Sequence, residues 1–293
     1  MIFLAISLLL SFFIHAEDKV RVQSTTEFKD KNNAKREVGK VLQKYTGKPV
    51  KIIFDEPPLY LSNLIDTLYK NINGFVITQK DERKLQKAHA NSTYGEITTN
   101  GICQLISELQ PTNKDLFYDL GCGVGRFNLE IFARTPIAKS IGIELSEDRY
   151  NMAKQAHNKF IELVKKNKDR MEQETVRTIL HPHRKLEFRN QDILRVNWRE
   201  AIFPLLEGNT IFVYLASTCM TTEFLARLEA QLIRLLSEVK ALAQGQKIGS
   251  VIILTLKKFP QNPEFEVHFE KAKTYKIDMS WSDNVKVYQY RSQ

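Results

Sequence analysis

Cysteine is scarce in this chain of 293 residues: Cys103, Cys122 and Cys219 are an odd number in no metal-ligand spacing. That excludes a disulfide framework and a cysteine-based metal cluster. Glycine and proline are also few, twelve and nine, which excludes collagen-like or low-complexity architecture. No internal repeat is visible. Long apolar runs are missing too. The longest, residues 1–16 (MIFLAISLLLSFFIHA), falls short of the roughly 20 residues that a spanning helix needs. It ends in Ile14-His15-Ala16, which suits signal-peptidase cleavage, although no Lys or Arg precedes the apolar core. We expect a signal peptide or a short membrane anchor there, which places the protein in a secreted or anchored setting.

Acids are the scarcer charge. With 34 Asp and Glu against 43 Lys and Arg, the net charge is +9. An excess of that sign suits an acidic partner such as nucleic acid, an anionic membrane or a chromatin surface. It is concentrated in residues 17–51, where ten cations face five acids and few large apolar residues interrupt them. Residues 17–56 are therefore expected to be a basic arm. The remaining chain is long enough, at 43% hydrophobic content, to bury one α/β core with an appendage beside it.

What is present is a glycine-rich turn. Leu116-Phe117-Tyr118 runs directly into Asp119-Leu120-Gly121-Cys122-Gly123-Val124-Gly125-Arg126, and Glu144 closes the next β-rich run, Ser140 to Ile143. A strand, a glycine hairpin opening a helix, and a carboxylate one strand further on form the layout of a nucleotide-type site. The first two glycines let the backbone turn sharply and approach an adenosyl group with no Cβ in the way. Glu144 would accept from ribose hydroxyls. A dinucleotide site wants its third glycine three residues after the second, yet here it follows after two and Arg126 occupies the dinucleotide position. The spacing D-x-G-x-G-x-G favours S-adenosylmethionine (AdoMet) over a pyridine dinucleotide or an unliganded turn.

The flanking pattern supports an α/β fold. After Pro57-Pro58, apolar residues at Leu61, Leu64, Ile65, Leu68 and Ile72 recur at helical spacing until Asn73-Gly74, and a second short helix is expected over Asp81–Ala88. Residues 57–90 thus read as an N-terminal helical segment and 91–293 as the catalytic domain. Strands are expected at 116–120, near 140–144, 186–189, 210–215 and 249–256, with helices between them. Tyr275–Trp281 and Val285–Tyr290 read as a closing hairpin joined by Ser282-Asp283-Asn284. This order is expected of a seven-stranded Rossmann-like class I methyltransferase sheet with a C-terminal antiparallel hairpin and a small helical appendage. His181-Pro182-His183 reads as a basic exposed loop, because nothing completes a metal site. The Asp55-Glu56-Pro57-Pro58 string sits before the glycine loop, and an (Asp/Asn)-Pro-Pro-aromatic loop after the fourth strand is absent, which argues against base methylation.

Four segments in order carry a closer resemblance: Thr93-Tyr94-Gly95-Glu96-Ile97-Thr98, the loop Asp119–Arg126, Asp192-Ile193-Leu194 followed by Trp198-Arg199-Glu200, and Ser280-Trp281-Ser282 with Tyr288 seven residues after the Trp. Together they resemble the disruptor-of-telomeric-silencing family of non-SET histone lysine methyltransferases, which act on the globular core of histone H3. The resemblance implies that Tyr94-Gly95-Glu96 folds as a lid over the methionine end of AdoMet, with Glu96 pairing its ammonium and Thr98 its polar tail. Asp192 would accept from the adenine amino group while Ile193 packs on the ring. Trp281 and Tyr288 occupy positions near the lysine-access channel.

The expected chemistry is attack of a neutral lysine amine on the sulfonium methyl, driven by alignment and desolvation with no dedicated base. One departure stands out. Where the family carries a pair of asparagines after its fourth strand, this chain reads Tyr214-Leu215-Ala216-Ser217-Thr218-Cys219. Tyr214 could line the channel in their place, alongside Tyr94 and Tyr288, or the acceptor is another protein or a small molecule. A non-catalytic AdoMet-binding module is the remaining reading. The expected partners are a histone or nucleosome, nucleic acid through the basic arm, and a membrane only through residues 1–16.

Overall fold

The computed structural model describes residues 19–23, 51–55, 60–87, 92–260 and 263–293. The apolar run 1–16, read as a signal or anchor, lies outside them. No described helix is long and apolar enough to cross a membrane. The chain divides into two units, 1–59 and 60–293. In the first, β1 (Lys19–Gln23) pairs in parallel with β2 (Lys51–Asp55), so two stretches of the basic arm take up strand pairing with each other.

The second unit is built on a seven-stranded sheet. Its strands are β3 (Leu116–Leu120), β4 (Lys139–Glu144), β5 (Lys185–Asn190), β6 (Ile211–Leu215), β7 (Val251–Thr255), β8 (Phe269–Met279) and β9 (Ser282–Ser292), in the spatial order β5-β4-β3-β6-β7-β9-β8. The first five strands in that order run parallel, and β9 and β8 complete the sheet antiparallel. β3, β6 and β7 are buried at every position, as near-continuous apolar runs covered on both faces should be. Leu116, Tyr118, Leu120, Val213, Leu215 and Ile253 face one layer, with α7 (Arg199–Leu206) and α8 (Thr222–Ala243). Phe117, Phe212, Tyr214 and Leu254 face the other, with α3 (Thr99–Leu109) and α4 (Arg126–Arg134). α5 (Glu147–Asn167) and α6 (Gln173–Ile179) connect β4 to β5, and α9 (Pro263–His268) precedes β8.

The hairpin differs from the expected one. Met279 pairs with Ser282, so the chain reverses at Ser280-Trp281 rather than at 282–284. Asn284 instead sits inside β9 at φ 57°, beside a register shift between Ile277 and Met279. Asn tolerates that left-handed conformation better than most side chains, and its N–H donates to Asp278 Oδ1 at 3.1 Å, so the strand absorbs the extra residue as a bulge. The consequence is that Trp281 occupies the hairpin tip.

Strand order reverses between β3 and β6, because β4 and β5 lie on one side of that pair and β7 on the other. In open α/β sheets the crevice outside the carboxyl ends of such strands is where ligands bind. Two N-terminal helices close in on this end. α1 (Leu61–Tyr69) is tied through Asp66 to Arg126 at 2.6 Å and through the Tyr69 hydroxyl to the Val124 carbonyl at 3.3 Å. α2 (Gln79–Lys87) is tied through Asp81, whose carboxylate accepts from the Ser146 hydroxyl and from the N–H groups of Glu147 and Asp148, at 3.0 and 3.3 Å. Asp81 thereby caps the start of α5 from another helix.

Burial alone would raise the Asp81 carboxyl, but the Ser146 hydroxyl, the two α5 N–H groups and the nearby Lys84 charge hold it below its ordinary value. A depressed folded value contributes stability that is present above the unfolded carboxylate range and is lost as pH falls through the folded value. Asp81→Ala should therefore cost about 0.5–2 kcal/mol near pH 7, the range for losing a helix cap. Urea unfolding at descending pH should show its gap to the wild type closing below the ordinary carboxylate range.

Candidate active site

A cavity of about 420 Å³ opens at the carboxyl ends of β3, β4 and β6. Its floor is the glycine turn, which β4 holds in place. The N–H groups of Gly121 and Cys122 donate to the Ile143 carbonyl at 2.8 and 3.0 Å. Gly123 donates to Glu144 Oε2 at 2.8 Å, and Ser146 donates to Glu144 Oε1 at the same distance. Glycine is required twice here for different reasons. Gly121, at φ 92°, leaves open space that a ligand backbone can occupy, the Ile193 side chain lying no nearer than 4.0 Å from where a Cβ would be. At Gly123 a Cβ would come within 2.4 Å of the Tyr94 ring.

Two buried carboxylates share this floor. Burial first, and the Glu144 charge second, push Asp119 up to about 8. Burial also raises Glu144, against the N–H groups of Ser146 and Gly123 and the Arg149 charge. Glu144 is hydrogen-bonded to the loop, whereas Asp119 has no hydrogen-bond donor among the described residues. A buried acid that faces a cavity without a donor lacks a partner that a cationic ligand group can supply. The residues therefore fit AdoMet: an acid available for an ammonium, a carboxylate at the end of β4 for ribose hydroxyls, and a bare glycine turn beneath.

The walls join segments that are far apart in sequence. Tyr94, Gly95 and Glu96 line the cavity, the Tyr94 hydroxyl donating to Glu96. This stretch is stitched to the hairpin tip. Ser280 N–H donates to the Glu96 carbonyl at 2.7 Å, Glu96 N–H to Ser280 Oγ at 3.0 Å, and Thr98 N–H to the Asp278 carbonyl at 3.1 Å, with Ile97 bridging Met279. Trp281 covers Gly95 so closely that a Cβ there would lie 2.4 Å from its ring. Leu120, Cys122, Arg126, Asp192, Ile193 and Tyr214 also reach the cavity. Asp192 at the same time caps the turn Ile193–Arg195 by accepting from Leu194 N–H at 2.9 Å. Tyr214 stands beside Asp119, edge-on to Phe127 with ring centres 4.9 Å apart, and burial raises its hydroxyl's pKa.

Four expected residues lie outside the lining. The Thr98 hydroxyl accepts from Gly101 N–H at 3.1 Å and donates to the Asp278 carbonyl at 3.0 Å, so it caps α3 and has no donor left for a ligand. Val124 is buried beneath the turn, and Gly125 begins α4 packed against Phe188 and Ala153. Tyr288 stands on β9 beyond the cavity, with the Lys258 and Lys271 ammonium groups 5.8 and 5.4 Å from its ring centre. It shares a sheet face with Tyr290, so the pleat turns it toward the layer of α7 and α8.

Conversely, Arg149, Phe127, Met220 and Phe224 line the cavity without having been singled out from sequence. Their signal was absent because each is an ordinary residue of a helix or loop until the fold brings it there. Trp281, by contrast, was flagged by the resemblance and does line the cavity, half-exposed.

Because the raised Asp119 is protonated near neutral pH when no cation faces it, a cationic ligand must displace that proton. AdoMet affinity should thus rise with pH until about 8, with proton release visible by calorimetry in buffers of different ionisation heat. Asp119→Asn should lose about 1.5–3 kcal/mol of AdoMet binding, the range for hydrogen bonds to charged groups. In the ligand-free protein it should also abolish the fall in stability as pH rises from the ordinary carboxylate range to the raised value, since Asn does not titrate.

The model of the histone methylation protein DOT1 family matches residues 73–288. An H3 lysine-79-specific histone-lysine N-methyltransferase of Caenorhabditis elegans is 37% identical over 67 residues, which are 23% of this chain and 7% of that protein. The match thus spans a small part of that relative's length. Among solved structures, an RNA methyltransferase of Salinibacter ruber with S-adenosyl-L-homocysteine is 16% identical at a TM-score of 0.37, covering 66% of this chain and 90% of its own. The TrmK structure of M. capricolum, with the same cofactor product, is 10% identical at 0.38, covering 67% and 69%. With the family match covering most of its length and running through the glycine turn, the lid stretch and the hairpin tip, this chain belongs to the DOT1 family of histone methylation proteins.

Proposed function

We propose that this chain is an AdoMet-dependent protein lysine N-methyltransferase that acts on a histone, with the nucleosome as its working partner. The observation that carries the cofactor is Asp119, a buried carboxyl with no donor among the described residues, on the floor of the switch-point cavity. Asp119 binds the ammonium, Glu144 the ribose hydroxyls, Asp192 the adenine amino group, and Ile193 packs on the ring. AdoMet supplies an electrophilic methyl group on a sulfonium.

The acceptor is received by the wall after β6. Ala216, Thr218, Cys219 and Met220, with Phe127 and Trp281, carry no charge. Presenting a lysine amine in neutral form at pH 7 costs roughly 4–5 kcal/mol from its ordinary value near 10.4, and a wall without a carboxylate offsets part of that by giving the ammonium no partner. The residues at this wall then align the amine and keep water out, with Trp281 as the rim that the arriving side chain crosses. The departure at 214–219 supports a second reading, a different protein or small-molecule acceptor.

Labelled AdoMet offered with nucleosomes, free histones and small amines should give transfer to a nucleosomal lysine above the rest. Transfer only to small amines would select the second reading. Trp281→Ala should lower turnover on the protein acceptor more than it lowers AdoMet affinity, measured side by side. We further assign the basic arm to chromatin phosphates, since ten cations in residues 17–51 can release counterions without sequence preference. Deleting residues 17–51 should leave AdoMet binding intact while weakening nucleosome binding and flattening its salt dependence.

A further inference from the structure

Arg149 is buried in the first turn of α5, at 5% exposure, and its side-chain hydrogen bonds go to segments outside that helix. Its Nε donates to the Gly74 carbonyl at 2.9 Å and its Nη2 to the Ser92 carbonyl at 2.7 Å. Its guanidinium lies 4.7 Å from the centre of the Tyr94 ring. The same ring is hemmed in by Gly74 and Gly123, where added Cβ atoms would lie 2.4 Å from it, and meets Phe75 edge-on at 5.1 Å. Arg149 thus connects the turn before α2, the start of the lid stretch and the glycine floor.

From this geometry we infer that Arg149 is a positioning residue for the cofactor, fastening Tyr94 and with it Glu96 over the glycine turn. The inference rests on the reading of the cavity as an AdoMet site. Ring position and carboxylate position are linked, because the Tyr94 hydroxyl donates to Glu96. A guanidinium suits this task where an ammonium does not. It presents donors in a fixed plane to two carbonyls and lays its flat face on an aromatic ring at once, while Lys offers a single point charge. The far end of the same stretch, Glu96 to Thr98, is held by hydrogen bonds to Ser280 and Asp278, so Arg149 controls the end at Ser92–Gly95, on which Trp281 rests.

Arg149→Lys and Arg149→Met should both weaken AdoMet binding in calorimetry by roughly tenfold or more, the equivalent of losing hydrogen bonds to a charged group. Arg149→Lys should not rescue. In the Tyr94→Leu background the Arg149→Lys change should cost little further affinity, since the ring it acts through is gone. A second readout needs no cofactor. Of the two tryptophans, Trp198 is buried and Trp281 rests on Gly95 half-exposed, so acrylamide quenching in the ligand-free protein reports Trp281 and should increase when the stretch loosens. Wild-type affinity in Arg149→Lys, full additivity with Tyr94→Leu, or unchanged quenching in folded variants would each overturn the inference. Failure of the wild type to bind AdoMet would instead sink the cofactor reading, and the quenching comparison would still judge whether Arg149 holds the stretch.

Discussion

Two carboxylates buried side by side at the sheet's switch point set the terms for the rest of this structure. Asp119 is the next-to-last residue of β3 and Glu144 the last of β4, and the parallel register that pairs Asp119 with Gly142 leaves the two carboxylates close at neighbouring strand ends. Like charges out of water are unfavourable unless donors or cations meet them. Glu144 is met by the N–H groups of Gly123 and Ser146 and by the nearby Arg149 charge. Asp119 is left for a ligand. The glycine turn is therefore a device that delivers backbone donors to one acid while clearing space above the other.

Around that floor, chain segments far apart in sequence form a continuous rim. Residues 94–98 are joined to the hairpin tip by main-chain hydrogen bonds and by Trp281 lying on Gly95. At the other end they are joined to α5 by Arg149. The two ends differ in character. One is a short antiparallel bridge, which is stiff, and the other depends on one guanidinium. The appendage helices belong to the same design, because Asp66 reaches Arg126 in the opening turn of α4 and Asp81 caps α5. Both helices that leave the ligand-binding strands are thus braced by acids from outside the sheet.

The cavity is divided by charge. Acids gather at the ends of β3 and β4, whereas the residues following β6 offer hydroxyl, thiol, thioether and aromatic surface without a carboxylate. Buried acids without a bound cation at the strand ends favour a cationic ligand there. Tyr214, whose hydroxyl is kept neutral by burial and the neighbouring Asp119, stands at the boundary.

Much of this was written in local sequence. Apolar runs at β3, β6 and β7 announce central parallel strands, and Asp119, Gly121, Gly123 and Glu144 announce the floor, because turn geometry and strand ends are short-range properties. The hairpin turn was misplaced, since Asn284 looks like a turn residue and only pairing shows that it fills a bulge. Thr98 is expected at the cofactor's polar tail and Tyr288 near the lysine-access channel. A free hydroxyl three residues ahead of a helix N–H is drawn into capping, and a side chain on β9 faces whichever layer the pleat dictates. Arg149 carries no local signature at all, and the stretch after β6 is marked in sequence only by its departure from the family's pattern. What the sequence by itself determined is the order of elements and the chemistry at strand ends. Which side chains converge from α5, the appendage and the hairpin was decided only by tertiary packing, because a cavity's walls are set by distances between elements that no local pattern records.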